Sequence, residues 1–194
     1  MVYTIEQIKN WLKDHLTEER YEHSLGTAEC AQELASKYSL DKEKAYFTGL
    51  IHDCAKCFSK EEMSEIIEKH ISLEDSELFS PKTFHAPVGA YIAKREFGIT
   101  DKEILSAIRY HTIGKQDMSD FEKVIFLADK IEKRTRPNEY AEPIRKLLNE
   151  TNGLDKAIFL CYKNTIKSLV DRELNICTST IDIYNQFLKN LDIN

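Results

Sequence analysis

The sequence predicts an all-α protein, an irregular helical bundle folded as one domain over residues 1–194. Three observations carry this. Glycine (6) and proline (4) are scarce, which disfavours a sheet-and-turn architecture. Polar capping residues precede stretches whose apolar positions recur at helical spacing. The alternation expected of half-buried strands is nearly absent.

The elements follow in order. Thr4 with Gln7 resembles a capping box and opens a helix to about residue 16. Thr17 caps a second helix through roughly Tyr38, and Asp41 a third. In that third helix Ala45, Phe47, Leu50, Ile51 and Cys54 recur close to helical spacing, which places Cys54 and Cys57 late in it. Ser59 and Glu62 form another capping box, leading a helix toward His70. Residues 71–84, with Pro81, read as irregular. A helix from about Ala86 to Phe97 stops at Gly98 as a left-handed cap. Asp101 starts the next, which ends near His111. Ser119 opens one containing "VIFLADKIE". Three more apolar-periodic stretches cover about 138–149, 154–173 and 179–191.

Composition narrows the function. The 194 residues suffice to bury a core without disulfides. The formal net charge of −6 repels polyanions, so nucleic acid is not expected as a partner. No apolar run approaches the length of a membrane span, and no membrane partner is expected. The start, "MVYTIEQIKNWLKDHL", carries acids and does not read as a secretory signal. Five cysteines, an odd count, fit reduced thiols and a cytoplasmic location.

The stretch "GLIHDCAKC" holds two competing motifs. A redox Cys-x-x-Cys normally sits at a helix N-terminus, where the dipole favours a thiolate. Cys54 and Cys57 lie late in theirs. Cys30, Cys161 and Cys177 supply no second pair for zinc. Cys54 therefore reads as a small core residue, and Cys57 as its incidental neighbour.

His52-Asp53 reads differently because of its company. His15 and His70 sit among charged residues and read as surface. His23, His52, His85 and His111 each lie beside a face rich in Ala, Leu, Ile, Val or Gly. One such histidine is usually a satisfied core residue; four need a shared reason, and a metal supplies one. Asp129 follows the apolar run "VIFLA", where a carboxylate is costly unless paired or metal-bound. Adjacent residues on a helix point about 100° apart, so His52 and Asp53 can approach one metal from two directions, or Asp53 can bridge two.

The order His…His-Asp…His…His…Asp resembles the HD-domain metal-dependent phosphohydrolases, from Arg20 to about Arg136. More narrowly, "RYEHSLGTAECA", "HDCAK", "HAPVGA", "RYHTIG" and "FLADKIE" resemble the bacterial YqeK family, associated with symmetrical bis(5′-nucleosyl)-tetraphosphatase activity. The resemblance implies cleavage of diadenosine tetraphosphate into two ADP. It also implies a centre of two divalent or mixed-valent metal ions: His23, His52, Asp53 and Asp129 on one, with Asp53 bridging to a second held by His85 and His111. Imidazole with carboxylate and no thiolate suits iron, manganese or zinc, and the resemblance favours iron. Two departures stand out. His111-Thr112-Ile113-Gly114 replaces the usual "HTTG", and "KRTRP" follows the "ADxIE" motif, leaving either Arg134 or Arg136 to face substrate.

The expected chemistry is attack of a metal-bound hydroxide on a phosphoanhydride, with Asp53 and Lys56 as the catalytic pair. Lys56 follows Asp53 by three positions, and Arg20 precedes His23 by three, so each shares a turn with a ligand. Arg109, two before His111, faces elsewhere. Arg20, Lys56, Thr112 and Arg134 or Arg136 are the candidate substrate contacts. Two rival readings stand. One is another HD-type nucleotide phosphohydrolase, namely a 5′-nucleotidase, a deoxynucleotide triphosphohydrolase or a phosphodiesterase. The other is a non-catalytic nucleotide-binding module. The metal-site core covers about 17–136. The C-terminal helices, about 138–194, pack on it and could also shape a nucleoside pocket or a homodimer surface. Phe84, Tyr110 and Tyr140 could stack on a base but read first as packing residues.

Overall fold

The structure is a computed structural model that describes residues 3–191. Among the described residues there are eleven α-helices and no strand. α1 (Ile5–His15) opens on Thr4, whose hydroxyl accepts the Gln7 amide while the Gln7 side chain accepts the Thr4 amide at 2.8 Å. This reciprocal cap satisfies two amides that the first helical turn leaves free. α2 (Glu18–Lys37) opens on Thr17 and α3 (Lys42–Ile51) on Asp41, which accepts the Glu43 and Lys44 amides. Small residues let α2 and α3 approach closely. A Cβ on Gly49 would lie 2.9 Å from the Thr27 carbonyl oxygen and the Ala28 Cα.

Two sequence expectations need correction. α3 stops at Ile51, and Cys54–Cys57 form a separate 3-10 turn headed by Asp53. Apolar recurrence runs on through Cys54 because both segments are buried, so periodicity did not mark the break. Residues 71–84 are not wholly irregular. α4 (Lys60–His70) is followed by α5 (Asp75–Leu78) and a 3-10 turn at Pro81–Thr83. α5 has only 4 residues, too few to display a period, and a tertiary ion pair between Glu77 and Arg109 holds it.

α6 (His85–Arg95) ends before Gly98, whose φ of +66° is the left-handed stop the sequence indicates. α7 (Lys102–Tyr110) and α8 (Asp120–Ile131) are capped by Asp101 and Ser119. α9 (Asn138–Leu147), α10 (Gly153–Asp171) and α11 (Thr178–Asn190) complete the order.

The apolar residues form two clusters. One gathers α8 to α11 against Cys30, Ala31, Leu34 and Ala35 of α2. The other gathers α1, α3, α6 and α7, including Phe47, Leu50, Ile92 and Ile108. Phe84 packs on the second cluster and Tyr140 on the first. No described helix is long and apolar enough to cross a membrane.

Candidate metal centre

Five helices bring the predicted ligands together. His23 lies in α2. His52 closes α3 and Asp53 heads the 3-10 turn after it. His85 starts α6, His111 closes α7, and Asp129 lies in the last turn of α8. All four histidines and Asp53 are at least nine-tenths buried. Their rings form a chain: His23 to His52 at 5.2 Å between centroids, His52 to His111 at 4.9 Å, His111 to His85 at 5.2 Å.

Three of the four rings are turned by the same device. His52, His85 and His111 each donate Nδ1–H to the carbonyl three residues earlier, on Gly49 (2.7 Å), Lys82 (3.1 Å) and Ile108 (2.7 Å). His23 instead donates Nδ1–H to the Glu132 carboxylate at 3.2 Å. A donating Nδ1 leaves the Nε2 lone pair free to coordinate, and all four Nε2 atoms point at the carboxylates. Asp53 Oδ2 lies 4.0 Å from His23 Nε2 and 3.8 Å from His52 Nε2. Its other oxygen, Oδ1, lies 3.5 Å from His85 Nε2 and 3.4 Å from His111 Nε2. Asp129 Oδ1 lies 2.9 Å from His23 Nε2 and 3.6 Å from His52 Nε2. Two groups, His23–His52–Asp129 and His52–Asp53–His111, each keep their ligand atoms within 4.8 Å of one another.

His52 Nε2 and Asp53 Oδ1 are buried with no hydrogen-bond partner among the described residues. An imidazole lone pair and a carboxylate oxygen orphaned side by side are costly in a protein interior. A cation between them removes the cost, so the donor set fits a metal.

The electrostatics agree. Burial pushes the Asp53 carboxyl up, but His52, His111 and His85 outweigh it and hold the group well below its ordinary value. Burial acts likewise on Asp129 and is overcome by Lys130, His23 and His52. Burial lowers His52, and lowers His85 to about 3 with help from His111, so both rings are neutral at pH 7. His23 is raised: burial pulls it down, but hydrogen bonds to Asp129 and Glu132 prevail.

The cations divide sharply. Arg20 reaches Asp53 Oδ2 at 3.4 Å. Arg136 donates to Asp129 Oδ1 at 2.7 Å through Nη2, and its Nε donates to the Asp129 carbonyl at 2.7 Å. Lys56 is lowered by burial against the attraction of Asp53, and it also feels Arg20, Asp129 and Arg136. The Thr112 hydroxyl lies 3.0 Å from His111 Nε2 and 3.1 Å from His85 Nε2. Arg134 is not part of this group. Its guanidinium is held by Glu22 at 2.5 Å and by Glu29 at 2.6 and 3.0 Å on the outer face of α2. The two arginines are two positions apart, and the Arg134 and Thr135 amides both donate to the Glu132 carboxylate. Arg109 faces elsewhere as expected, in a bidentate pair with Glu77.

Sequence reasoning missed two residues. Glu132 is fully buried and accepts from His23, from the Arg134 and Thr135 amides, and from the Thr135 hydroxyl. These donors hold its pKa at about 2, against burial. It lies just past the end of α8, and its partner His23 is 109 positions away, so no local pattern marked it. Lys130 donates to the His111 carbonyl at 3.2 Å and stands 3.4 Å from Asp129 Oδ2. Its adjacency to Asp129 carried no distinguishing pattern. The cysteines are free, and burial raises both the Cys54 and Cys57 thiols, which makes them poor nucleophiles.

Comparison with known proteins identifies the family. The HD domain family matches residues 20–134. A symmetrical bis(5′-nucleosyl)-tetraphosphatase of Bacillus subtilis is 41% identical over 90% of this chain and 92% of its own length. A protein of the same name from Halalkalibacterium halodurans is 40% identical over 91% and 93%. A crystal structure from Clostridium acetobutylicum, described as a predicted HD superfamily hydrolase involved in NAD metabolism, superposes with a TM-score of 0.90. It is 35% identical and covers 98% of this chain and 100% of its own. The chain belongs to the HD domain family and, within it, to the symmetrical bis(5′-nucleosyl)-tetraphosphatases.

Proposed function

We propose that this protein is a metal-dependent hydrolase that splits diadenosine tetraphosphate symmetrically into two ADP. The observation that carries the chemistry is the orientation of Asp53, with one oxygen toward His23 and His52 and the other toward His85 and His111. A carboxylate so placed suits a bridge between two metal ions. His23, His52 and Asp129 would complete one shell, and His85 and His111 the other. Nitrogen and oxygen ligands without thiolate suit iron, manganese or zinc, and the family resemblance favours iron. Bound metals supply Lewis acidity and lower the pKa of water, so that the nucleophile exists near neutral pH.

The chain's own residues do the rest. Arg20, Lys56 and Arg136 ring the carboxylates and would neutralise phosphate oxygens as charge moves to the leaving nucleotide. Arg136 suits bidentate contact, while Lys56 acts as a point charge. The partial burial of Lys56 strengthens its field at the site. Thr112, between His85 and His111, can turn its hydroxyl to a phosphate oxygen without leaving the turn. Arg134, held by Glu22 and Glu29, has no direct part in this reading.

The test is anaerobic incubation of metal-loaded protein with diadenosine tetraphosphate, with products separated by ion exchange. ADP alone is expected. ATP plus AMP would overturn the symmetrical reading. Metal analysis of the anaerobically purified protein should return iron, near two ions per chain; a single ion would overturn the bridged arrangement.

A further inference from the structure

Lys130 follows the candidate ligand Asp129 in α8, and its ammonium is turned inward rather than to solvent. The side chain is only 16% exposed. Neighbouring residues on a helix do not face each other, so a contact between charges at consecutive positions needs something further to hold it. Two groups do so. Nζ donates to the His111 carbonyl at 3.2 Å, and it lies 3.8 Å from the centroid of the Phe126 ring, one turn back in the same helix. From there it donates to Asp129 Oδ2 at 3.4 Å. An ammonium has three N–H groups. The carbonyl, the ring face and the carboxylate are three partners for them, which leaves none for a phosphate.

These partners join the two halves of the centre. Asp129 divides its oxygens. Oδ1 lies 2.9 Å from His23 Nε2 and 3.6 Å from His52 Nε2 and accepts from Arg136 Nη2 at 2.7 Å, while Oδ2 faces Lys130. His111 belongs to the other half, with Asp53 Oδ1. Its carbonyl is among the last of α7, which the helix leaves without an internal partner, and a cation suits that end.

The turn after His111 is held a second time. The Tyr162 hydroxyl donates to the Ile113 carbonyl at 2.6 Å, and the Gly114 amide donates back to the Tyr110 carbonyl at 2.8 Å. The Tyr162 ring stacks on Phe126, with centroids 5.4 Å apart. Lys130, the His111 turn, Tyr162 and Phe126 thus close a ring of contacts behind the ligands.

We propose that Lys130 is a positioning residue that couples the two halves of the candidate metal centre. It turns Asp129 so that one oxygen, Oδ1, faces the ligand histidines, and it holds the backbone that carries His111. The inference rests on the metal-dependent hydrolase reading above. Without the ammonium, either oxygen of Asp129 is free to swing to a metal, and the His111 turn loses one of its two side-chain donors.

The experiment titrates metal-free protein with Co²⁺ and records the visible spectrum, whose bands report coordination number and geometry. Wild type is compared with Lys130→Met, which keeps the stem and removes the ammonium, and with Lys130→Arg, which returns a cation. Lys123→Met is the control. Lys123 lies two turns earlier in α8, is also 16% exposed, and pairs with Asp120 at 3.1 Å and Asp155 at 2.8 Å. Lys130→Met should bind cobalt about tenfold more weakly and show altered bands. It should also lower kcat on diadenosine tetraphosphate about tenfold while KM stays within about twofold. Lys130→Arg should recover most of the affinity and the wild-type bands. Lys123→Met should leave all of these unchanged. Wild-type affinity and bands in Lys130→Met would overturn the proposal, as would equal changes in Lys123→Met. If Lys130→Met does not fold, Lys130→Gln decides by the same readings, since it keeps a donor for the His111 carbonyl but no charge for Asp129. The cobalt readings need no substrate. A wild type that takes up cobalt but leaves diadenosine tetraphosphate intact would overturn the hydrolase reading alone, and the cobalt comparison would still decide Lys130.

Discussion

Glu132 and His23, 109 positions apart, are joined by a buried hydrogen bond of 3.2 Å that sets which imidazole nitrogen faces the centre. The other three rings use backbone carbonyls for this purpose. His23 therefore has the one orientation that a side-chain change can undo. A carboxylate behind a ligand histidine also raises its basicity, and losing such a partner typically costs about 10–100-fold in metal affinity. Glu132→Gln keeps an acceptor but not the charge. We expect it to fold and to bind metal about tenfold more weakly at the His23 side, read by metal titration against a chromogenic chelator. Full affinity would remove Glu132 from the support of the centre.

Gly26 makes room for that carboxylate. A Cβ there would lie 2.3 Å from Glu132 Oε2, and Glu132 cannot yield because the Arg134 and Thr135 amides hold it. Gly26→Ala should destabilise the protein by about 1–3 kcal/mol through overpacking. Denaturant unfolding with chelator present isolates this from any effect on metal.

Asp53→Ala should abolish turnover and release metal from both sides of the centre. Elemental analysis decides between bridging and one-sided binding. Retention of one ion at wild-type affinity would place Asp53 on a single metal.

Arg136→Ala and Arg134→Ala should part company. Loss of Arg136 removes the guanidinium bonded to Asp129 and should lower kcat/KM at least tenfold, about 1.4 kcal/mol in the transition state. Arg134 makes exposed ion pairs, which are worth about 0–1 kcal/mol, so Arg134→Ala should leave kcat/KM nearly intact. Equal losses would mean that the strand of chain between them acts as a unit.

Stripping the metal should lower the melting temperature, because the orphaned His52 Nε2 and Asp53 Oδ1 regain their burial cost. Saturating metal at about 100 times its dissociation constant restores about 2.7 kcal/mol. Thermal scans across a metal titration check this. A melting temperature independent of metal would argue against coordination by these atoms.

Much of this is legible in the sequence alone. Thr4, Thr17, Asp41, Ser59, Asp101 and Ser119 each announce a helix start, because a cap is a local event between residues two or three apart. The six candidate ligands stood out because imidazole and carboxylate are conspicuous beside apolar runs. What was hidden depends on distance in sequence. α5 exists through the Glu77–Arg109 pair, 32 positions apart. The choice between Arg134 and Arg136 turns on Glu22 and Glu29, which lie over 100 positions upstream of Arg134. The role of Glu132 appears only when α2 is laid against α8.

The Tyr162 hydroxyl on the Ile113 carbonyl has a consequence for biogenesis. Gly114, at φ +80°, has no room for a Cβ because Tyr162 Oη would lie 2.0 Å from it, so α10 and the His111 turn are shaped to each other. Asp129 is the last candidate ligand in the chain, yet the tie from Tyr162 to the turn after His111 forms only when α10 is in place. A growing chain that has delivered all six candidate ligands still lacks this tie.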